Sequence, residues 1–323
     1  MKHLPAGEIA RRIDLFEDIR HPHPQLTTIH RTFDILRAEA RAASARLTRQ
    51  MEDHSNIVVP PSAFPAVAIF GPSGTAKTHM IKTYYEDVCL KENWPEGERR
   101  VVDFELSVDA NKRQFQVDLL GALRDPDPDK GNDSVLRRRV RKLTMALRTD
   151  LVFVDEIQHF IASDTKRKTM SVAAAIKKSL NANPYGLGLV GTEKAQRIFE
   201  ENEELAQRVP TTFILSGCDL DSSDGRKQWT SFLATFKNRL EALGILDSAA
   251  TLVTPETAGL LGLQVDARLG LGQRLIKAST RCALERGDTR LSATHIANAV
   301  EKNKGLFGFK ENLFAEYATT VED

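Results

Sequence analysis

The sequence Gly71-Pro-Ser-Gly-Thr-Ala-Lys77-Thr78 lies directly between an apolar segment, residues 66–70, and a segment expected to be helical. A loop that holds phosphate groups presents inward-pointing backbone N–H groups, and it needs glycine wherever a side chain would block the approach. In such a loop the lysine reaches the β- and γ-phosphates, and the adjacent hydroxyl ligates Mg²⁺. The stretch therefore predicts a strand–loop–helix unit with ATP and Mg²⁺ as cofactors, in which Lys77 is catalytic and Thr78 binds the metal.

This phosphate loop is expected to contact the nucleotide through nine consecutive residues. They are Gly71, Pro72, Ser73, Gly74, Thr75, Ala76, Lys77, Thr78 and His79. Ala76 departs from the usual pattern, which has glycine immediately before the lysine. A methyl group at this position crowds the loop, so we expect weaker nucleotide affinity or slower turnover than in loops with glycine there.

A second motif, Leu151-Val-Phe-Val-Asp155-Glu156, is an apolar run that ends in two adjacent acids. A continuous apolar run is typical of a central strand of a parallel sheet, because such a strand is covered on both faces. A Mg²⁺-assisted hydrolase needs one carboxylate to hold the hydrated ion and another to polarise the attacking water. We assign Asp155 to the metal and Glu156 to the water, and the two motifs together predict an ATP hydrolase.

Short apolar segments alternate with helical segments over roughly the first two thirds of the chain. Strands are predicted at 66–70, 100–106, 150–155, 186–191 and 211–215, and helices at 27–51, 114–123, 137–147 and 171–180. Residues 1–26 contain three prolines and are predicted to form an irregular arm. Five strands separated by helices predict an α/β fold, a three-layer domain around a parallel five-stranded sheet.

The strand signals stop after Gly225, and the remaining pattern is helical. Apolar stripes surround Trp229 and Leu275, Gly287 closes the second of these helices, and Ser292 caps a third. We therefore predict an N-terminal arm and helix (1–55), an α/β nucleotide-binding domain (56–225), a small all-helical lid domain (226–303) and a tail (304–323).

Three further positions fit a nucleotide site. Thr192 follows the fourth predicted strand, where its hydroxyl can sense the γ-phosphate, although an ordinary helix cap is the alternative. Arg208 ends a predicted helix (201–209) and either stabilises transition-state charge in a neighbouring subunit's site or is an exposed helix-end arginine. From the lid, Arg274 is the candidate for a phosphate contact, with Arg268 as the alternative.

The composition, 41% hydrophobic and 28% charged residues, is typical of a soluble globular protein. No apolar run approaches the about 20 residues that span a bilayer, and the N-terminus lacks the apolar core of a secretory signal, so we expect a cytoplasmic protein with no membrane partner. The three cysteines lack metal-ligand spacing. A net charge of +1 does not itself suggest nucleic-acid binding, and the basic clusters at 137–142 and 166–168 are typical of solvated helix faces.

Four segments together resemble the TniB/TnsC family of AAA+ ATPases, which serve DNA transposition. They are Asp155-Glu-Ile-Gln-His159, Val190-Gly-Thr-Glu-Lys-Ala195, Glu204-Leu-Ala-Gln-Arg208 and Gln228-Trp-Thr-Ser-Phe-Leu-Ala-Thr-Phe236. The similarity extends over roughly residues 20–303. The resemblance implies an AAA+ fold and a homo-oligomer that assembles with ATP on double-stranded DNA, as a ring or filament, and marks a target site.

The same resemblance implies contacts with a transposase subunit and a target-selection protein. It also implies that basic residues hold the DNA through its backbone, which makes the binding independent of sequence and sensitive to salt. On this basis we expect Lys112, Arg113, Arg141 and Lys142 to contact DNA, with solvated surface as the alternative for each.

Two other functions remain open from the residues alone. One is a STAND-like signalling ATPase that never touches DNA, and the other is an origin-type initiator or clamp-loading ATPase. Such proteins commonly continue into a long effector region or a DNA-reading helix-turn-helix domain, and the tail after the lid is expected to be too short for either. The aromatic residues after Gly305 form either a docking peptide for the transposase or a strap packed on the lid.

Overall fold

The structure is a computed structural model, and it describes residues 4–21, 23–52, 65–108, 110–161, 176, 185–200 and 202–321. The chain divides into two compact units. The sheet unit comprises Gln25–Pro72 and Lys77–Leu215, and the helical unit comprises Met1–Pro24, Ser73–Ala76 and Ser216–Asp323. Among the described residues, no helix combines the length and apolar character needed to cross a membrane.

Five parallel strands form the centre of the sheet unit, in the order β2-β3-β4-β1-β5. They are β1 (Ala66–Phe70), β2 (Val101–Glu105), β3 (Leu151–Asp155), β4 (Gly186–Gly191) and β5 (Thr211–Ile214). Every residue of β1, β3 and β4 is buried, because helices cover both faces of these continuous apolar runs. The predicted three-layer α/β fold is confirmed. Since parallel strands point the same way, the segments that follow β1, β3 and β4 emerge at one edge of the sheet.

Within the described residues, six α-helices of the sheet unit have defined bounds. They are α1 (Leu26–Glu52), α2 (Lys77–Glu92), α3 (Lys112–Ala122), α4 (Asp133–Ala146), α5 (Glu193–Glu200) and α6 (Glu203–Ala206). One face of the sheet packs around Phe115 and Leu119, and the other packs around Phe33, Tyr84 and Phe153. Each core lies between one face of the central sheet and the helices that cover that face, which gives the three layers.

Three predicted helices in this unit have the wrong bounds, and an asparagine cap marks the observed start of each. α3 begins at Lys112, directly after the Asn111 cap, and not at the predicted 114. The side chain of Asn132 accepts hydrogen bonds from two backbone N–H groups, so α4 begins four residues before the predicted start at 137. The Asn202 side chain accepts one hydrogen bond, from Leu205 N, at the start of α6. This helix ends at Ala206 instead of continuing to 209. The predicted helix at 171–180 lies outside the described residues except for Ile176, and the cluster at 166–168 lies wholly outside them.

A buried ion cluster, which the sequence did not reveal, fastens α1 to the sheet. The Arg37 guanidinium is 1% exposed, and it donates to Asp150 Oδ1 at 2.7 Å and to the Glu92 carboxylate at 2.8 and 3.0 Å. Burial raises the pKa of the Asp150 carboxyl, against the effect of Arg37. Burial also opposes ionisation of Glu92, but hydrogen bonds from Arg37 and Trp94 outweigh it and lower the pKa of Glu92 to about 2.

The helical unit packs around a single apolar core that includes Trp229, Phe232 and Phe236. Its described α-helices are α7 (Ala6–Phe16), α8 (Ser223–Ala242), α9 (Pro255–Gln264), α10 (Leu269–Arg286), α11 (Ala293–Phe307) and α12 (Ala315–Val321). The caps predicted in this region are confirmed: Gly287 ends α10 with φ of 80°, and Ser292 forms a capping box with His295 at the start of α11.

The irregular arm predicted for residues 1–26 is wrong, since α7 lies within it. Pro5 stands just before the first turn, where a helix tolerates proline because no N–H is required there. Ile13 and Phe16 lie in the core of the helical unit. In the tail, Phe314 is fully buried in the same core, so the aromatic segment is packed as a strap.

Candidate functional site

The phosphate loop joins β1 to α2, and Lys77 is the first residue of that helix. The buried Lys77 ammonium donates to the carbonyl oxygens of Gly71 at 2.7 Å and Pro72 at 2.9 Å. These carbonyls satisfy the ammonium within the loop itself. A charged phosphate oxygen is a stronger acceptor for this ammonium than a backbone carbonyl oxygen is. The position and charge of Lys77 therefore suit a phosphate ligand in the loop.

Ala76 occupies a backbone conformation that explains why glycine is usual at this position. Its φ of 69° is in the left-handed region, where a Cβ atom approaches the following carbonyl oxygen. The residue is therefore strained by about 1–2 kcal/mol relative to a right-handed conformation. The replacement of the usual glycine by Ala76 therefore affects the loop through the backbone conformation at this residue.

The middle of the loop, Ser73–Ala76, packs within the helical unit, against the start of α10. Leu271 N donates to Gly74 O at 3.0 Å, and a Cβ atom on Gly74 would lie 2.9 Å from Leu271 Cβ. Arg268 Nη1 donates to Ser73 O at 2.9 Å. Arg274, by contrast, is exposed on the second turn of α10. Of the two arginines considered for this region, Arg268 is the one that contacts the loop, and a phosphate contact by Arg274 stays a prediction.

The two motifs meet at the carboxyl edge of the sheet. The Thr78 hydroxyl donates to Asp155 Oδ2 at 2.7 Å, and Asp155 is the last residue of β3. A hydroxyl and a carboxylate oxygen are the hard donors that Mg²⁺ prefers. The residues predicted to hold the metal are therefore brought together in a geometry that fits it.

Glu156 follows immediately, with φ of 57°, so the chain turns sharply at the end of β3. Its backbone N–H donates to Asp155 Oδ1 at 2.8 Å, and its carboxylate accepts a hydrogen bond from the Gln158 side chain. The acid assigned to the attacking water is thus held beside the acid assigned to the metal.

Thr192 is the first residue after β4. Its Oγ1 is buried, and within the described part of the chain it has no hydrogen-bond partner. A side-chain cap would place this oxygen on a backbone N–H group, so the helix-cap alternative is not supported. A buried hydroxyl without a partner is unfavourable unless a ligand satisfies it, which fits a contact with the γ-phosphate.

Gln158 is a site residue that the sequence reasoning missed. It lies in the 3-10 helix Ile157–Ile161, two residues after Glu156, and its Oε1 accepts a hydrogen bond from Thr192 N at 3.0 Å. Its position within Asp155-Glu-Ile-Gln-His159 was visible, but nothing in the sequence shows that this amide reaches the end of β4.

Arg208 lies two residues beyond the end of α6 and is partly exposed. Its Nη2 is 4.0 Å from Glu204 Oε1, a long ion pair. Such a contact is worth little at a partly solvated site. The insertion of Arg208 into a neighbouring subunit stays a prediction.

The four basic residues considered for DNA differ in their surroundings. Lys112 pairs with Asp133 at 3.1 Å, and Arg113 donates to the carbonyl oxygens of Gly131 at 2.6 Å and Asp129 at 2.5 Å. Both side chains support the start of α4. The side chains of two others lie exposed on α4, namely Arg141 and Lys142. The second pair is the more accessible to a polyanion.

Comparison with protein families gives one match that covers most of the sheet unit. The family model described as "Bacterial TniB protein" matches residues 28–215, more than half of the chain. No curated protein matches the sequence. The match contains the phosphate loop, Asp155, Glu156, Thr192 and Arg208.

Solved structures with a similar fold include three archaeal proteins. The ORC1 protein of Aeropyrum pernix in complex with DNA aligns with a TM-score of 0.57 and 14% identity, covering 91% of this chain and 69% of that one. The Cdc6p of Pyrobaculum aerophilum aligns with a TM-score of 0.55 and 13% identity, covering 90% and 70%. The ORC2 protein of Aeropyrum pernix, in ADPNP–ADP complexes, aligns with a TM-score of 0.54 and 14% identity, covering 83% and 67%. At this level of identity the similarity shows a common fold.

Proposed function

Because the chain belongs to the TniB family of AAA+ ATPases, we propose that it regulates DNA transposition by assembling on double-stranded DNA with ATP. The oligomer, a ring or filament, would then recruit or activate a transposase at the target site. The observation that carries the nucleotide part is the Thr78–Asp155 hydrogen bond, which joins the phosphate loop to the acid of β3.

The ATPase chemistry follows from residues of the sheet unit. Thr78 and Asp155 would hold Mg²⁺, which when bound neutralises phosphate charge. Lys77 can exchange its two carbonyl acceptors for phosphate oxygens. Glu156 would orient the attacking water and accept its proton, and the buried Thr192 hydroxyl would contact the γ-phosphate.

We propose that the site serves as a switch between neighbouring subunits. Arg208 would enter the neighbour's site and stabilise charge on the transferring phosphoryl group. Hydrolysis then weakens the contact between subunits, and the strain at Ala76 favours a slow cycle over rapid turnover. An Arg208→Ala protein that assembles and hydrolyses ATP normally would remove this role.

DNA contact is proposed through the phosphate backbone, led by Arg141 and Lys142. Their exposure on α4 supports this order of testing, since Lys112 and Arg113 already bind Asp133 and backbone carbonyls. The similar fold of the Aeropyrum pernix ORC1 protein, solved in complex with DNA, also supports DNA as a partner. Contacts with a transposase subunit and a target-selection protein, and a cytoplasmic location, complete the proposal.

Nucleotide-dependent binding to DNA tests this function. The anisotropy of a labelled duplex is measured with the protein and a slowly hydrolysed ATP analogue, over a salt series and with several unrelated sequences. We expect tight binding only with nucleotide, similar affinity for each sequence, and steep weakening with salt. Absence of binding at low salt would contradict the proposal.

The second candidate is an initiator-type ATPase, which the similarity to ORC and Cdc6 folds favours. The same titration addresses this candidate, since a strong preference for one DNA sequence would favour a sequence-reading initiator over the sequence-independent binding proposed here. A third outcome, nucleotide-dependent oligomers that ignore DNA at every salt concentration, would indicate a signalling ATPase.

A further inference from the structure

We propose that Gln158 is a positioning residue that holds the Glu156 carboxylate in place and couples it to Thr192. The proposal rests on the function assigned to Glu156 above. A single amide group makes both contacts: it donates to the Glu156 carboxylate and accepts from Thr192 N at 3.0 Å.

The orientation of this amide is fixed by chemistry. A backbone N–H can only donate, so the atom that faces Thr192 must be the carbonyl oxygen of the Gln158 side chain. The NH₂ group then faces Glu156, whose ionised carboxylate can only accept. If the amide were flipped, both contacts would pair like with like, and both would be lost.

The packing around Gln158 is built for this contact. A Cβ atom on Gly191 would lie 2.8 Å from Gln158 Oε1, so a side chain at the end of β4 would displace the amide from its present position beside Thr192. On either side, the fully buried Ile157 and a 2.8 Å contact between His159 Nδ1 and Leu106 O anchor the 3-10 helix. The backbone of Gln158 is therefore fixed while its side chain spans the two functional residues.

The consequence is a link between phosphate sensing and water activation. The Gln158 bond occupies one oxygen of the Glu156 carboxylate, which leaves the other oxygen for the attacking water. On the far side of the amide, Thr192 Oγ1 is buried without a partner in the described residues. When Thr192 shifts to contact a γ-phosphate, its N–H moves the amide, and the amide moves Glu156.

Two substitutions of similar size test the link. Gln158→Met removes both hydrogen bonds, and Gln158→Glu keeps an acceptor for Thr192 but presents a second carboxylate to Glu156. Gln196→Met is the matched control, because Gln196 also donates its amide to a glutamate, Glu200, at 3.0 Å, but on the surface of α5. Glu156→Gln is measured beside them.

We expect kcat to fall about 100-fold in Gln158→Met, the loss that follows from misplacing a reacting group by about 1 Å. The dissociation constant for a slowly hydrolysed ATP analogue should stay within about twofold of the wild-type value, since the described hydrogen bonds of Gln158 go to Glu156 and Thr192 and not to the phosphate loop. Gln196→Met should match the wild type in both measurements.

The Gln158→Glu protein separates the two hydrogen bonds, because an ionised carboxylate can accept from Thr192 N but cannot donate to Glu156. Its kcat should therefore fall about as far as that of Gln158→Met, while its dissociation constant for the ATP analogue stays within about twofold of the wild-type value. A loss of kcat without a loss of affinity is a signature that a purely structural residue would lack.

Each contrary result has a distinct meaning. Wild-type kcat in Gln158→Met, with Glu156→Gln inactive, would overturn the positioning role and leave the proposed function standing. Equal losses of affinity and kcat would show a structural role only. Normal hydrolysis by Glu156→Gln would overturn both the assignment of Glu156 and the inference. If Gln158→Met does not fold, Gln158→Glu decides alone, and a wild-type kcat in that protein contradicts the proposal.

Discussion

The Thr78 hydroxyl donates to Asp155 Oδ2 at 2.7 Å, although 77 positions separate the two residues in the chain. This bond joins the start of α2 to the end of β3. It exists because β1 and β3 are parallel, so that the loop after one and the acid at the end of the other emerge at the same edge. The two polar residues that would hold Mg²⁺ in the proposed function are thus in direct contact through their own hydrogen bond.

Glu156→Gln should bind ATP and assemble but hydrolyse about 100-fold more slowly, because the amide cannot accept the proton of the attacking water. The oligomer would then persist in its ATP-bound state. Turnover and assembly are measured on the same sample by phosphate release and light scattering, with Glu39→Gln, an exposed change on α1, as the control. Wild-type turnover would show that another group activates the water.

Ala76→Gly should stabilise the protein, in contrast to most alanine-to-glycine changes. Relief of about 1–2 kcal/mol of left-handed strain exceeds the about 0.4–1 kcal/mol that glycine adds to the entropy of the unfolded chain. Ala45→Gly, in the exposed interior of α1, should instead destabilise by about 0.5–1 kcal/mol. Denaturant unfolding measures both, and equal losses of stability would show that Ala76 is unstrained.

Arg37→Leu should destabilise the fold by about 3–5 kcal/mol, since it leaves the Asp150 carboxylate buried without its principal partner. Arg41→Leu is the control, because Arg41 contacts the same carboxylate at 3.2 Å but is 48% exposed. Its loss should be about 1 kcal/mol or less. Chemical denaturation compares the two free energies of unfolding. Equal values would show that burial of the ion pair does not matter.

Replacing Arg141 and Lys142 by alanine should weaken DNA binding uniformly across sequences. Each lost phosphate contact should also reduce the slope of log affinity against log salt by about 1. Lys112→Ala removes a charge that already pairs with Asp133, and it should change the slope less. Salt titrations of duplex binding measure these slopes. A larger effect from Lys112→Ala would move the DNA interface to the start of α3.

The sequence was sufficient for the parts of the fold that depend on local pattern. The apolar runs before Gly71 and Glu156 locate β1 and β3, and the bounds predicted for β1 and β4 match the observed ones. The assignment of Thr78 and Asp155 to one Mg²⁺ ion also implied that the two motifs lie close together, since the carboxyl ends of parallel strands lie at the same edge of a sheet. In the helical unit, Gly287 and Ser292 marked helix ends through their own conformational preferences.

Features that depend on distant partners could not be predicted in this way. Arg37 reads as one more basic residue on an amphipathic helix, and only the fold brings it to Asp150. The role of Gln158 is likewise not evident from its local sequence, because it depends on β4 placing Thr192 beside the amide. The prolines near α7 led to the prediction of an irregular arm. The packing of Ile13 and Phe16 in the core of the helical unit depends on distant residues that a local pattern does not show.

Imaging of the purified protein with a slowly hydrolysed ATP analogue, with and without duplex DNA, tests the proposed function most directly. Lys77→Ala is included as a protein that lacks the phosphate-binding ammonium, with Lys91→Ala, an exposed change at the end of α2, as its control. We expect rings or filaments around the duplex for the wild type and Lys91→Ala only when nucleotide is present, and none for Lys77→Ala. Particles that never associate with DNA, or that assemble on it equally well without nucleotide, would contradict the proposed function.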